Sequence, residues 1–123
     1  LEVAFSSNVD TTGTDPNFDV FVVPAAGGEA RNLTAANRAS DGSPRYSPNG
    51  RWLLYAEQRV ERFFSDRRRP ILVDRRDGTR RELAADWDRS VGTFAWTPDS
   101  TAVFSAIDDA GTERIHRIAI PSG

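Results

Sequence analysis

The sequence contains no cysteine, no methionine and no lysine, and its 123 residues include a single histidine. Without cysteine the chain cannot form a disulfide, a thiolate zinc site or a thiol nucleophile. The histidine, His116, lies in a strand-like segment, where it is expected to be structural. No Gly-x-Ser-x-Gly elbow of the kind that presents a catalytic serine is present. We therefore predict no catalytic residue in this chain, and we predict that it is not an enzyme by itself.

Long apolar runs and a basic charge balance are also missing. No run approaches the roughly 18 apolar residues that cross a membrane, and no basic segment precedes an apolar one as in a signal peptide. The net charge is −2 and the pI about 5.4, whereas nucleic-acid-binding proteins usually carry a basic balance. We predict neither a membrane nor a nucleic-acid partner. Because the chain begins at Leu1 without methionine, we interpret it as a processed product or a fragment.

One pattern is present twice, 50 residues apart. Residues 46–50 (YSPNG) and 96–100 (WTPDS) each place an aromatic, a hydroxyl residue, proline, Asn or Asp, and a small residue before an apolar run. The same offset aligns residues 1–34 with residues 51–84 without a gap. A repeat of this length is typical of propellers and solenoids.

Each repeat predicts four short strands, A to D. Strand A leads into the proline-containing turn, in which the proline presets φ and a glycine at the last position tolerates positive φ. Ser100 replaces that glycine in the second copy, so we expect a strained turn there. The B and C strands (WLLY, ILV, FVV) do not alternate apolar and polar residues, which indicates burial of both faces. Residues 57–69 are the one segment also compatible with one or two helical turns.

We therefore predict an all-β fold, a β-propeller fragment of about two and a half four-stranded antiparallel blades. Strands B to D of a first blade fall in residues 1–34, a second blade in residues 43–84, and strands A to C of a third in residues 93–123. Known propellers close with four or more blades, so this chain is not expected to close alone. Its unpaired edges and uncovered end faces lead us to expect self-association.

The two motifs resemble the PD40 (TolB-like) β-propeller repeat, which is also related to WD40-like repeats. Over nearly the whole chain, the segments NFDVFVVPAAGGEARNLTAAN, SPRYSPNGRWLLYAEQRV and DWDRSVGTFAWTPDS resemble the N-terminal propeller of bacterial S9 (prolyl oligopeptidase family) serine peptidases. The similar members are dipeptidyl-peptidase-like and acylaminoacyl-peptidase-like. The resemblance implies a non-catalytic propeller that caps a C-terminal α/β-hydrolase domain carrying Ser, Asp and His, and that restricts access to small peptides.

The resemblance also implies partners and a location. The partners would be the remaining blades, the hydrolase domain and small peptides, and the parent protein would be periplasmic or secreted. We interpret the chain as a structural and gating segment of such a peptidase. The alternative interpretation is a TolB-like periplasmic propeller that acts by binding other proteins.

The long B–C loop at residues 57–69 provides the candidate substrate-facing residues, because in the resembled family this loop would lie at a propeller face. Charged side chains there can pair with a peptide terminus. The candidates are Glu57, Arg59, Glu61 and Arg62. The alternative is a solvated loop anchored by Phe63 and Phe64, and the interspersed acids disfavour a single-stranded nucleic-acid site.

Arg89 is the fifth candidate. It lies in a D–A loop, and B–C and D–A loops fall on the same face of a propeller, so we expect Arg89 near residues 59–69. An ion pair with Asp86 or Asp88 is the alternative role for Arg89.

The acidic B–C loop at residues 8–19 contains Asp10, Asp15, Asn17 and Asp19. Oxygen ligands of this kind suit calcium, but the EF-hand order, with glycine at position six and glutamate at twelve, is absent. We therefore predict a polar loop, with no metal and no cofactor.

Overall fold

The computed structural model describes residues 1–13, 16–63, 65–109 and 111–121, and within these ranges the chain forms ten β-strands and no helix. The strands are β1 (Glu2–Asn8), β2 (Phe18–Pro24), β3 (Arg31–Asn32), β4 (Asp41–Tyr46), β5 (Trp52–Glu57), β6 (Arg69–Asp74), β7 (Arg80–Glu82), β8 (Phe94–Trp96), β9 (Ala102–Asp109) and β10 (Thr112–Ala119). No helix within these ranges is long and apolar enough to cross a membrane.

The strands form three antiparallel sheets, each built from consecutive strands. Their orders are β1-β2-β3, β4-β5-β6-β7 and β8-β9-β10. The first sheet corresponds to strands B to D, the second to A to D and the third to A to C, so the prediction of an all-β fold with about two and a half four-stranded sheets is confirmed. The described part of residues 57–69 forms hydrogen-bonded turns and no helix.

The sequence repeat reappears in the strand register. Val3 pairs with Val23 across β1 and β2, and Leu53 pairs with Val73 across β5 and β6. Both members of the second pair therefore lie 50 residues after their counterparts in the first. The third sheet keeps the β-hairpin but shortens its loop, which places Ile118 opposite Val103.

The proline-containing turns set the geometry between strands A and B. Ser47 donates its hydroxyl to Asn49 Oδ1 at 2.7 Å and accepts the amide of Trp52 at 2.9 Å, and Thr97 makes the corresponding bonds in the third sheet. Gly50 has a φ of 74° and Ser100 a φ of 61°. The positive φ expected at Ser100 is therefore present, and a non-glycine residue there is strained.

Alternate residues of β5 pack into two different cores, which explains its unbroken apolar run. Leu53 and Tyr55 join residues of the first sheet, while Leu54 packs towards the third. The core between sheets one and two consists of Val20, Val22, Leu53, Tyr55, Ile71 and Val73. The core between sheets two and three consists of Trp52, Leu54, Ala56, Leu72, Leu83, Val91, Phe94, Val103, Ile107 and Ile118. Both faces of the middle sheet are thus buried, as predicted.

Antiparallel order places the B–C and D–A connections at the same end of the sheets, which we call the loop end. Backbone hydrogen bonds join these connections. The amide of Gln58 donates to Ser40 O at 2.8 Å, and that of Val91 donates to Arg68 O at 3.0 Å. The candidate residues identified from the sequence all lie at this end.

Candidate functional site at the loop end

A cleft of about 220 Å³ opens between the β1–β2 connection and the β5–β6 connection. Its lining is mainly polar, and the charged lining residues are Asp10, Arg38, Glu61 and Arg62. The cleft therefore presents both signs of charge over a small volume. Of the five candidates predicted from the sequence, Glu61 and Arg62 are the two that line it.

The shape of the β5–β6 connection depends on Asp66. Its Oδ2 accepts the backbone amides of Arg59 and Val60 at 2.6 and 2.9 Å, and its Oδ1 accepts the amide of Arg67 at 2.8 Å. Burial acts to raise the pKa of Asp66, but the amide hydrogen bonds and Arg69 outweigh it and lower the pKa to about 2. One carboxylate therefore holds the part of the loop that carries Glu61 and Arg62.

Glu57 and Arg59 are engaged with each other and with the edge of the sheet. Arg59 donates through Nε to Glu57 Oε2 at 2.8 Å, and its Nη2 forms an ion pair with Glu82 Oε1 at 2.8 Å. Arg69 lies on the other side of Glu82, with its Nε 3.9 Å from the same oxygen. These four residues form a charge cluster that ties the loop to β6 and β7.

Arg89 lies beside this loop, and the backbone explains why. The amide of Arg68 donates to the hydroxyl of Ser90 at 3.1 Å, next to the Val91–Arg68 backbone bond. The Arg89 Nε is also 3.8 Å from Asp88 Oδ1, the ion pair weighed as an alternative. Both features coexist, and a substrate-facing role for Arg89 stays a prediction, as it does for the other four residues.

Sequence reasoning missed Asp41, a buried carboxyl at the start of β4. Its Oδ1 accepts a hydrogen bond from Asn37 Nδ2 at 2.9 Å, while Oδ2 has no hydrogen-bond partner among the residues that the structure describes. Burial, reinforced by the nearby charges of Glu57 and Asp19, raises the pKa of Asp41 to about 7 against the hydrogen bonds that favour ionisation. In the sequence, an aspartate followed by a glycine is typical of an exposed turn, so no pattern predicts that Asp41 is buried.

The remaining acidic residues of the first B–C loop serve local structure. Asp10 accepts the amide of Thr12 at 3.2 Å and that of Gly13 at 2.8 Å, and Asp19 accepts Asn32 Nδ2 at 2.7 Å. Asp15 lies outside the described residues. In the part of the chain that the structure describes, no group of three or more His, Asp or Glu side chains is arranged to hold a metal ion.

His116 packs against an aromatic ring. Its ring centroid is 5.3 Å from that of Trp87, in an edge-on arrangement at 70°. Within the described residues, no serine, threonine or tyrosine hydroxyl forms a hydrogen bond with His116.

The chain consists of three stacked antiparallel sheets, and each of the two outer sheets has one uncovered face. This architecture is all-β and is consistent with a β-propeller fragment. No family model matches the chain. It is similar to one region of proteins named dipeptidyl-peptidase 5. The Aspergillus fumigatus protein is 33% identical over 95 residues, which cover 75% of this chain and 13% of the relative.

Two further relatives carry the same name. The Porphyromonas gingivalis protein is 22% identical over 107 residues, covering 87% of this chain and 16% of the relative. The Aspergillus oryzae protein is 28% identical over 102 residues, covering 82% of this chain and 14% of the relative. The chain thus spans only 13 to 16% of the length of these relatives. The similarity and the all-β fold support a peptidase-related segment.

Proposed function

We propose that this chain is a non-catalytic propeller segment of an S9-type serine peptidase of the dipeptidyl or acylaminoacyl kind. The observation that carries the proposal is a similarity that covers most of this chain but only 13% of the Aspergillus fumigatus dipeptidyl-peptidase 5. The open outer sheets fit a segment whose neighbours are further blades. The chemistry belongs to an α/β-hydrolase domain with a Ser, Asp and His triad.

The proposed role of the loop end is to control which peptides reach that hydrolase domain. Glu61 and Arg62 line the cleft, and Arg38 faces it from the D–A connection. A free peptide carries an ammonium group at one end and a carboxylate at the other, and charged pairs of this kind give orientation as well as affinity. Glu57 and Arg59 bind each other instead, so we assign them to the support of the loop.

The test uses the full-length product of the gene that encodes this chain. We expect it to contain a Gly-x-Ser-x-Gly elbow and to hydrolyse chromogenic dipeptidyl or acylaminoacyl substrates, while the 123-residue chain alone does not. The Glu61→Gln and Arg62→Gln variants should raise KM about three- to ten-fold with kcat nearly unchanged, because they remove binding that ground state and transition state share.

Matched controls are Glu29→Gln and Arg81→Gln, which make the same charge changes at exposed positions away from the loop end. They should leave KM unchanged. A full-length protein that lacks the elbow and hydrolyses neither substrate class would contradict the proposal and favour a TolB-like binding propeller. Equal KM effects in the controls would contradict the assignment of the cleft.

A further inference from the structure

The face that the middle sheet turns towards the first sheet is built from two cross-strand pairs. Leu53 pairs with Val73, and Tyr55 with Ile71. Leu53 and Tyr55 are 2% and 1% exposed, because residues of the first sheet cover them, chiefly Val20 and Val22. We call this the leading face of a sheet, meaning the face that the preceding sheet in the chain covers.

The first sheet has the same leading face, but none of the described residues covers it. Its pairs are Val3 with Val23 and Phe5 with Phe21, in the same register and 50 residues earlier. Val3 is 50% and Phe5 37% exposed. The rings of Phe5 and Phe21 stack with centroids 5.5 Å apart, so this face is an ordered apolar surface.

The third sheet has the opposite face uncovered. In the middle sheet, Leu54 belongs to the trailing face, which its successor covers, and it is 0% exposed. Its repeat equivalent Phe104 is 41% exposed, and Ile115 on the neighbouring strand is 69% exposed. Arg117 lies directly across from Phe104, where its aliphatic stem extends the apolar surface.

These two uncovered faces are the two sides of one kind of interface. Within the chain, a trailing face always meets a leading face, as between sheets one and two and between sheets two and three. The third sheet ends on an uncovered trailing face and the first begins on an uncovered leading face. Soluble proteins normally cover contiguous apolar patches such as these two faces. A second copy of this chain carries both kinds of face, so each uncovered face of one copy has a counterpart on the other.

We propose that the 123-residue chain pairs head to tail with a second copy, Phe104 of each copy packing on the Val3 and Phe5 face of the other. A head-to-tail contact closes into a ring when the rotation that relates successive copies adds up to a full turn. Two copies bring together six sheets, within the four to eight blades that closed propellers contain. The product is a closed dimer of the 123-residue chain with two equivalent interfaces. In the longer peptidase proposed above, further blades would occupy the same two faces, so the dimer is a property of this chain by itself.

The test is the molar mass of the chain by light scattering coupled to size exclusion. Concentrations should run from about 1 to about 100 µM, since mass action governs dimerisation. We expect twice the 13.6 kDa of one chain. Phe5→Glu and Phe104→Glu each place a charge in both interfaces of the dimer and should each give a monomer. Far-ultraviolet circular dichroism checks that both variants remain folded.

Mixing the two variants distinguishes head-to-tail pairing from symmetric pairing. The mixture contains one interface without either charge, so it should form a heterodimer. The Phe63→Glu variant, altered at an exposed loop position outside both faces, should stay dimeric. A wild-type monomer at every concentration, an assembly larger than a dimer, or a Phe104→Glu variant that dimerises like the wild type would each overturn the proposal.

Discussion

The backbone amide of Asn49 donates a hydrogen bond of 3.0 Å to the hydroxyl of Ser100. These residues lie in the A–B turns of the second and third sheets, so the bond joins two repeats. Ser100 is buried although its φ is 61°. The strained serine therefore has a structural role that glycine could not fill, which is to accept a hydrogen bond from the neighbouring turn.

Substitutions at Ser100 should separate strain from hydrogen bonding. Ser100→Ala keeps the positive φ and loses the bond, and should cost about 1 kcal/mol of unfolding free energy. In Ser100→Gly, release of strain offsets the lost bond, so its stability should lie near that of the wild type. Chemical denaturation measures both. The matched variant Gly50→Ser places a serine at the corresponding positive φ, but the structure describes no turn amide that would donate to its hydroxyl. It should therefore lower the free energy of unfolding by about 1 to 2 kcal/mol. Equal stabilities of Ser100→Ala and the wild type would contradict a stabilising bond.

The buried carboxyl of Asp41 should make stability fall as pH rises. Its pKa of about 7 in the folded state exceeds the ordinary aspartate value of 3.8, so between these pH values the folded state holds a proton that the unfolded state has lost. Stability is then lost by up to about 1.4 kcal/mol per pH unit. The loss should begin above about pH 4 and level off above about pH 7.

The variant Asp41→Asn removes this titration. Compared at pH 5 and pH 8, its melting temperature should change less than that of the wild type, and its advantage should be greater at pH 8. Asp88→Asn, at an exposed loop position, should keep the wild-type pH dependence. Parallel pH profiles for the wild type and Asp41→Asn would show that Asp41 titrates normally.

Loss of the Asp66 carboxylate should release the β5–β6 connection. Asp66→Ala removes the acceptor for three backbone amides and should cost about 2 kcal/mol, as for hydrogen bonds to a charged group. Limited proteolysis should then cut within residues 58–68. Asp86→Ala, at an exposed position of the D–A loop, should leave this segment protected, and equal cutting of both variants would argue against the role of Asp66.

The same carboxylate predicts an acid transition. Because the pKa of Asp66 is lowered to about 2 in the folded state, its contribution is complete above the unfolded-state pKa near 4. It is lost as the pH falls towards about 2. Acid denaturation of Asp66→Ala should therefore be shallower than that of the wild type over this range.

Gly92 should tolerate no side chain. A Cβ at this position would lie 2.9 Å from the carbonyl oxygen of Ala106, which also accepts the Gly92 amide at 3.0 Å. Gly92→Ala should cost about 1 to 3 kcal/mol, because backbone has to move. Gly42→Ala is the control, since no described atom beyond its two chain neighbours lies within 4 Å of its added Cβ. Equal melting temperatures of the two variants would contradict the close approach of the D–A loop to β9.

Much of the fold was predictable because the repeat encodes it locally. The unbroken run at Leu53 and Leu54 indicated a strand buried on both faces, and the structure places these neighbours in different cores. The proline-containing turns likewise predicted positive φ at Gly50 and at Ser100. Each of these features depends on residues within about one hairpin of each other, where side-chain alternation and turn chemistry act directly.

The candidate site was predictable only in part. Charge in residues 57–69 marked the loop, and the order of strands placed Arg89 at the same end. The pattern did not show that Arg59 would be held by Glu82, 23 residues away, or that Asp66 would organise the loop. These contacts depend on which side chains meet when a loop folds back on a sheet edge.

By itself, then, the sequence determined the strands, their order within each sheet and the absence of a nucleophile elbow, because periodicity, turn chemistry and residue identity are local properties. The tertiary structure alone decided that Asp41 is buried and that Asn49 bonds to Ser100 across two sheets. It also decided which side chains, Val3, Phe5 and Phe104, form the uncovered end faces that the repeat had predicted. Burial and contact between repeats depend on how whole sheets stack, and stacking brings together residues that are distant in the chain.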